Sequence, residues 1–313
     1  RVQATVGYVT GRLGASQREV QDLLATVCHT EVSVGSIGAL EQAVSAALTT
    51  PVAEAAKYVQ RQPVRNADET SWREKRQRRW LWISVTPLVT IFRLLKTRSA
   101  AGAKELLGEE VWGSVGTDHY AGYHWIDSRQ RQLCWAHLKR EFVAWSECTG
   151  ETARIGLALL AVEKQLFALW YHARDGTLAW ADFQVAMLPL MARVSTLLQE
   201  GAEGADPKTQ GTCRNLLKRE AALWTFVWEP GVDPTNNSAE RPLRRAVLWR
   251  RRSFGTQSEA GSQFVERILT AVTTLRQQRR DVVDYLTAAC TAAIRHEPVP
   301  SLLPLTSPPL LAR

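Results

Sequence analysis

Cysteine is scarce in this chain and poorly placed for cross-linking. The five residues Cys28, Cys134, Cys148, Cys213 and Cys290 are odd in number and scattered. That argues against a disulfide framework and fits a reducing cytosol. No run approaches eighteen apolar residues, so no membrane span is expected, and no signal peptide opens the chain. These absences place the protein in the cytoplasm as an expectation. The first residue is Arg1 rather than methionine, so an upstream segment is expected. No internal repeat is visible. Acid is in deficit as well: 31 Asp and Glu face 39 Lys and Arg, leaving a net charge of +8 and a pI near 9.5. Such a balance points to an anionic partner, with nucleic acid first.

With 313 residues, 45% of them hydrophobic, the chain can bury a substantial core in one large domain or two unequal ones. Most of the twelve tryptophans are expected in the core or over apolar seams. Residues 16 to 50 read as two helices. Ser16 and Glu19 form a capping-box pattern before Val20, Leu23 and Leu24, and Ile37, Leu40, Val44 and Leu48 recur at helical spacing. The pair resembles a helix-turn-helix, which leaves two roles open, reading DNA or packing. The second helix lacks Lys or Arg between Ser33 and Thr50, so phosphate contacts would give it little.

From Gln62 to Leu95 the pattern is that of strands. The apolar run Trp80 to Val85 suits a strand covered on both faces, and Thr86-Pro87 turns into a partner, Val89 to Leu95. Ala100 to Leu107 reads as a helix, Val111 to Thr117 as a short strand ending at Asp118, and Gln132 to Trp135 as another. Helical pattern follows from Ala136 to Val227, with Gly201 to Gly211 expected as a polar loop. A turn at Glu229 to Pro234 precedes a helix starting at Asn236 or Asn237. Two more helices follow, one carrying Phe264, Ile268, Leu269, Val272 and Leu275, the other from Val282 to Ile294. Residues 297 to 313 hold five prolines and read as an extended or disordered tail. The order of elements suits a mixed α/β fold whose sheet is interrupted by helices.

Three acids stand out. Asp68 lies 50 residues before Asp118, and Glu240 lies 122 residues after it. Each falls where an element is expected to begin or end. Mg²⁺ takes oxygen ligands and keeps several waters, so a few carboxylates and a substrate phosphate suffice. Two such ions about 3.5–4 Å apart can flank an in-line displacement at phosphorus. By spacing alone the three are equally three solvated acids.

Local sequence adds to this. Ala67-Asp68-Glu69-Thr70-Ser71-Trp72, Thr117-Asp118-His119-Tyr120-Ala121-Gly122-Tyr123, Gln132 to Leu138, Pro234 to Arg241 and Ser253-Phe254-Gly255-Thr256 occur in this order. Together they cover roughly residues 60 to 290, and the chain resembles transposases of the insertion-sequence 66 family, TnpC type. The resemblance implies a DDE-type, RNase H-like catalytic domain in which a mixed sheet is flanked by helices. It implies Asp68 and Asp118 as shared metal ligands, Glu240 as the third acid, and Mg²⁺ or Mn²⁺ as cofactor. The expected organisation is an N-terminal helical segment (1–60), a first part of the catalytic domain (61–150), a helical insertion (151–230), a second part with the third acid (231–295) and a Pro-rich tail (296–313). The coiled segment and cysteine-rich zinc motif of longer members are not visible, which puts terminal-repeat recognition by this stretch in doubt. Pro242 is a second departure, tolerable in or just beyond a first helical turn.

Alternatives stay open at several residues. If Asn237 is an N-cap, Glu240 sits at N3 and could serve as a capping-box acid. On a strand Glu69 points away from Asp68, so one of them at most faces a metal; the resemblance selects Asp68. Cys134 and His137 are spaced C-x-x-H, which invites zinc. Two further ligands are needed, though, and His119, His124 and Cys148 are irregularly placed. Support of the active site by Cys134, His137 and Asn237 is the other reading.

Basic residues flank two of the acids. Between Arg61 and Arg98 ten Lys or Arg face three acids, and Arg241 to Arg252 holds six arginines and no acid. Arg73, Lys75, Arg76, Arg241, Arg244, Arg245, Arg250, Arg251 and Arg252 are the candidate DNA contacts. The expected activity is metal-dependent cleavage at transposon ends and strand transfer of the 3′-hydroxyl into target DNA. Its partners would be terminal repeats and target DNA, a homo-oligomer on paired ends and accessory proteins of the same element, associated with the nucleoid. A catalytically inactive DNA-binding descendant and an RNase H-like nuclease are the rival readings.

Overall fold

The computed structural model describes residues 1–304. It divides into two compact units, one of Arg1–Trp112 with the chain from Asn237 onward, the other of Gly113–Asn236. In the first unit, α1 (Val2–Tyr8) runs into a π-helical turn at Val9–Leu13, and α2 (Gln17–Cys28), α3 (Val34–Ala47) and α4 (Thr49–Gln60) follow. The capping box at α2 is formed: Glu19 N–H donates to Ser16 Oγ at 3.3 Å, and Ser16 N–H donates to the Glu19 carboxylate at 2.6 Å. The segment before Ser16 is also helical, which the sequence reading missed. Gly11 lets it approach the later helix bearing Ile268: a Cβ there would lie 2.2 Å from Ile268 Cγ1. The second helix of the helix-turn-helix candidate, α3, is used for packing. Its Ile37, Val44 and Ser45 are buried, and Arg267 donates to Ser45 Oγ and carbonyl, each at 3.1 Å.

Strands β1 (Val64–Glu74), β2 (Gln77–Val85) and β3 (Thr90–Leu95) then form an antiparallel meander, before α5 (Ala100–Leu107). Asp68 pairs with Ile83 in mid-strand, not at a strand end as the sequence suggested. Alternation of flanking polar residues concealed how far β1 extends. In the second unit β4 (Ser114–Thr117) pairs parallel with β5 (Arg131–Leu133). Helices α6 (Trp135–Ser146), α7 (Gly150–Asp175), α8 (Trp180–Glu203), α9 (Pro207–Leu217) and the short α10 (Thr225–Trp228) complete it. Trp135 opens α6 instead of closing a strand. The expected loop at 201 to 211 shrinks to 204–206. Gly201 is buried within α8, where a Cβ would lie 2.5 Å from Cys213 Sγ, and Asp206 caps α9 with Pro207 following it. Aromatic rings knit this core, Trp135 against Phe142 and Trp224, and Trp170 against Trp180, Phe183 and Phe226.

Back in the first unit, α11 (Asn237–Ser253), α12 (Glu259–Gln277) and α13 (Val282–Ile294) follow. One core joins Trp72, Leu81, Ile83 and Phe92 of the meander to Ala239, Leu243 and Ala246 of α11 and Val265 and Leu269 of α12. On the opposite face, buried Trp82 packs against Gly102 of α5, and Arg65, 1% exposed, donates to the terminal carbonyls Gln60 O and Leu107 O of α4 and α5. Helix α12 also closes the outer side of β3. Backbone N–H groups of Thr90, Phe92 and Leu94 donate to Thr274 Oγ1, Thr270 Oγ1 and the Glu266 carboxylate, side chains one helical turn apart. An edge that would otherwise expose a row of unpaired donors is thereby satisfied. Part of the Pro-rich tail, 305–313, lies outside the described residues. Its earlier stretch is irregular but held, with Leu302 buried and Tyr285 Oη donating to Pro300 O at 2.6 Å.

Antiparallel β1 to β3 and parallel β4 and β5 are strands of mixed sense. With their helices they make a mixed α+β chain consistent with an RNase H-like fold. No described helix is long and apolar enough to cross a membrane.

Candidate functional site

The meander sorts the two adjacent acids of β1. Opposed residues share a face, so Asp68 lies on the side of its partner Ile83, and Ile83 belongs to the core that receives α11. Asp68 is therefore on the α11 face, partly buried, with its Oδ1 accepting from Glu69 N–H at 2.8 Å. Glu69 projects to the other face. Its side chain is 0% exposed, and Arg98 holds it through Nε and Nη2, both 2.8 Å from Oε1.

Helix α11 begins at Asn237, so Glu240 is its fourth residue. It stands in the first turn, where the helix dipole favours an acid. Glu240 is partly buried and flanks the stripe of Ala239, Leu243 and Ala246 that lies on β1 and β2. Asp68 and Glu240 thus belong to one unit and to one face of the meander. Asn237 is exposed at the helix start.

Asp118 stands one residue past β4 in the second unit. Its Oδ1 accepts from Tyr120 N–H at 3.0 Å, an Asx-type turn that fixes the carboxylate. Arg131, 1% exposed on β5, clamps the same loop. Its Nε donates to Thr117 Oγ1 at 2.8 Å, and its Nη2 donates to Asp118 O at 2.8 Å and Tyr120 O at 3.3 Å. The sequence reading missed Arg131, since nothing in its spacing distinguishes it from a solvated arginine. His119 Nε2 sits 2.8 Å from Glu141 Oε1, and that bond raises the imidazole pKa above its usual value against the opposing effect of burial. Cys134 precedes α6, buried, with Sγ accepting from Asn236 N–H at 3.1 Å, and His137 is the third residue of α6.

The tip of the β1–β2 hairpin and the end of α11 enclose a pocket of about 620 Å³ lined by Ser71, Trp72, Arg73, Arg76, Arg78, Arg250, Arg251 and Phe254. No acid is among the described lining residues. Arg73, Arg76, Arg78 and Arg251 are exposed and join no ion pair among the described residues. Arg250 is the anchor: its Nη1 donates to Ser71 O, to Ser71 Oγ at 2.6 Å and to Thr70 Oγ1 at 3.2 Å. The turn after α11 is tied to the hairpin by Lys75 N–H to Thr256 O (2.7 Å) and Thr256 N–H to Arg73 O (2.9 Å). Gly255, at φ +104°, makes this approach possible, since a Cβ there would meet Arg73 O at 2.2 Å.

The remaining candidate DNA contacts differ in their commitments. Arg241, Arg244 and Arg245 are exposed along α11, as is Lys75 at the hairpin tip, whereas Arg252 is paired with Glu19 at 2.7 Å. Arg78 and Phe254 line the pocket yet were not among the sequence candidates. Arg78 had a visible signal in the basic run, and Phe254 stood in the Ser253-Phe254-Gly255-Thr256 segment without a role attached to it.

The chain is 23% identical over 244 residues to an uncharacterized protein, y4qI, of Sinorhizobium fredii (strain NBRC 101917 / NGR234). That match takes in 69% of this chain and 44% of the relative, so the chain spans less than half the relative's length. Residues 17–264 match the model described as the transposase IS66 family. A match that begins with α2, takes in all five strands and ends inside α12 covers well over half of the residues, and on that ground the chain belongs to the IS66 transposase family.

Proposed function

We propose that this chain carries the catalytic machinery of a DDE-type DNA transposase, with Asp68, Asp118 and Glu240 as its metal-binding acids. The observation that carries the reading is the separation of Asp68 from Glu69. The burial of Glu69 against Arg98 gives that acid a structural partner, and Asp68 keeps the α11 face that Glu240 flanks. The basic pocket beside them supplies charge for a polyanion. The donors fit the metal in kind, being carboxylate oxygens on partly buried side chains that a hydrated hard cation prefers. Mg²⁺ or Mn²⁺, when bound, would supply Lewis-acid activation of a water and stabilise the departing oxygen.

The residues of the chain do the rest by position and charge. The Asx turn holds the Asp118 carboxylate and Arg131 holds the backbone that carries it, which limits reorganisation during the reaction. Arg73, Arg76, Arg241, Arg244, Arg245 and Arg251 neutralise phosphates on either side of the cut, and Arg250 fixes α11 to β1. Water cleaves at a transposon end to leave a 3′-hydroxyl, which then attacks a target phosphodiester. Both are direct displacements, so no covalent enzyme intermediate is required. Terminal repeats, target DNA, a homo-oligomer on paired ends and accessory proteins of the same element are the partners this reading entails.

The test is a joining assay on terminal-repeat duplexes with Mg²⁺ or Mn²⁺. Asp68→Asn, Asp118→Asn and Glu240→Gln are expected to abolish cleavage and strand transfer while duplex binding persists. Joining at the wild-type rate by any of them removes that acid from the mechanism. Cleavage without joining, indifferent to repeat sequence, would point to a nuclease. Binding with no cleavage by the wild type would point to an inactive descendant.

A further inference from the structure

Phe254 is not explained by the fold. It follows α11 at φ +57°, a left-handed position that glycine or asparagine occupies at little cost and a bulky side chain does not. The residue is 78% exposed, so burial does not compensate. Its backbone is nonetheless held, by Phe254 N–H to Arg250 O at 2.8 Å on one side and by the Gly255–Thr256 clamp on the hairpin on the other. A strained residue kept in place by its surroundings invites a functional reading.

The ring lines the same pocket as Arg73, Arg76, Arg78, Arg250 and Arg251. A cationic groove bearing an aromatic platform is the combination that binds single-stranded nucleic acid, with backbone phosphates on the cations and a base on the ring. A duplex cannot use the ring in this way, because its bases are covered by their neighbours. The volume, about 620 Å³, lies within the range of small-ligand pockets. We infer that this pocket is a subsite for an unpaired DNA nucleotide, its phosphates held by Arg73, Arg76, Arg78 and Arg251 and its base stacked on Phe254. The inference rests on the proposed action on DNA and adds to it: the strand must be opened, at an end or a mismatch, for the subsite to fill.

The experiment uses the full chain and two probes, a single-stranded oligonucleotide with 2-aminopurine and the corresponding blunt duplex. Wild type, Phe254→Ala and Phe254→Trp are compared by titration and by quenching of the 2-aminopurine fluorescence. Stacking predicts that Phe254→Ala weakens single-strand binding about tenfold and abolishes the quench. It also predicts duplex affinity within twofold and recovery of both single-strand signals in Phe254→Trp. Equal affinities of wild type and Phe254→Ala for the single strand would overturn it. So would a parallel loss on both probes, or a change in sedimentation without a change in single-strand affinity, which would make Phe254 a contact between copies. Joining activity in the same preparations is scored separately. Phe254-dependent stacking without joining sinks the transposase reading and spares the subsite. Joining with no Phe254-dependent stacking does the reverse.

Discussion

Asp68 and Glu69 are adjacent carboxylates of similar chemistry, and the pleat alone gives them opposite roles. Glu69 is enclosed and held by Arg98, itself stacked on Trp80 with the guanidinium carbon 4.9 Å from the ring centre. Removing its charge leaves Arg98 partly buried without its carboxylate. Glu69→Gln is therefore expected to cost about 2 kcal/mol, less than for a fully buried pair because Arg98 reaches solvent. Asp68→Asn should change stability little. Urea unfolding of the two variants checks this, and equal losses would mean that Asp68 is as structural as its neighbour. Gly255 supports a second prediction at this scale. Alanine there combines a strained φ with a 2.2 Å approach to Arg73 O, so Gly255→Ala should detach the turn from the hairpin. The loss should show as at least a tenfold fall in DNA affinity in a filter-binding titration, with secondary structure unchanged by circular dichroism.

Helix α12 shows what an element adds to its residues. Thr274, Thr270 and Glu266 recur at four-residue spacing and accept successive outward N–H groups of β3. Glu266 pays for its place with a raised pKa: burial pushes its carboxyl up to about 7, only partly opposed by the Leu94 N–H and Arg93. The folded state thus holds a proton that the unfolded chain releases. The stability this contributes is complete below the unfolded pKa, near 4.5, and is lost as pH rises through about 7. Glu266→Gln retains an acceptor for Leu94 without a charge. Its melting temperature should fall less than that of the wild type between pH 5 and 8, a window in which the group is worth up to about 3 kcal/mol. Identical pH profiles for the two proteins would show that Glu266 does not titrate there. Helix α11 divides its arginines in the same manner: Arg250 is a pin to β1, Arg252 pairs with Glu19, and Arg251 stays on the pocket.

For the whole molecule the net charge of +8 becomes informative once its placement is known. Four exposed arginines around one pocket should each release a counterion when DNA binds. The logarithm of affinity should then fall steeply with the logarithm of salt, and Arg73→Gln and Arg251→Gln should each lower the slope by about one. A shallow slope unchanged by both variants would mean that the pocket does not meet phosphate. Much of the architecture was legible beforehand: β2 and β3, the capping box of α2, α5, the helical character of 136 to 227, α11 to α13 and the motif order that carries the family. Each depends on local periodicity or on short motifs, which a linear reading samples directly. The length of β1 was not legible because polar residues alternate along it, and the extra turn of α8 and the helix before Ser16 were not because they pack against distant residues, Cys213 and Ile268. The sequence by itself determined most of the elements, the charge and the family. Only the tertiary structure decided that Glu69 is structural, that Arg131 orients the Asp118 loop and that Phe254 stands over five arginines, because faces, pairings and pockets arise between segments far apart in the chain.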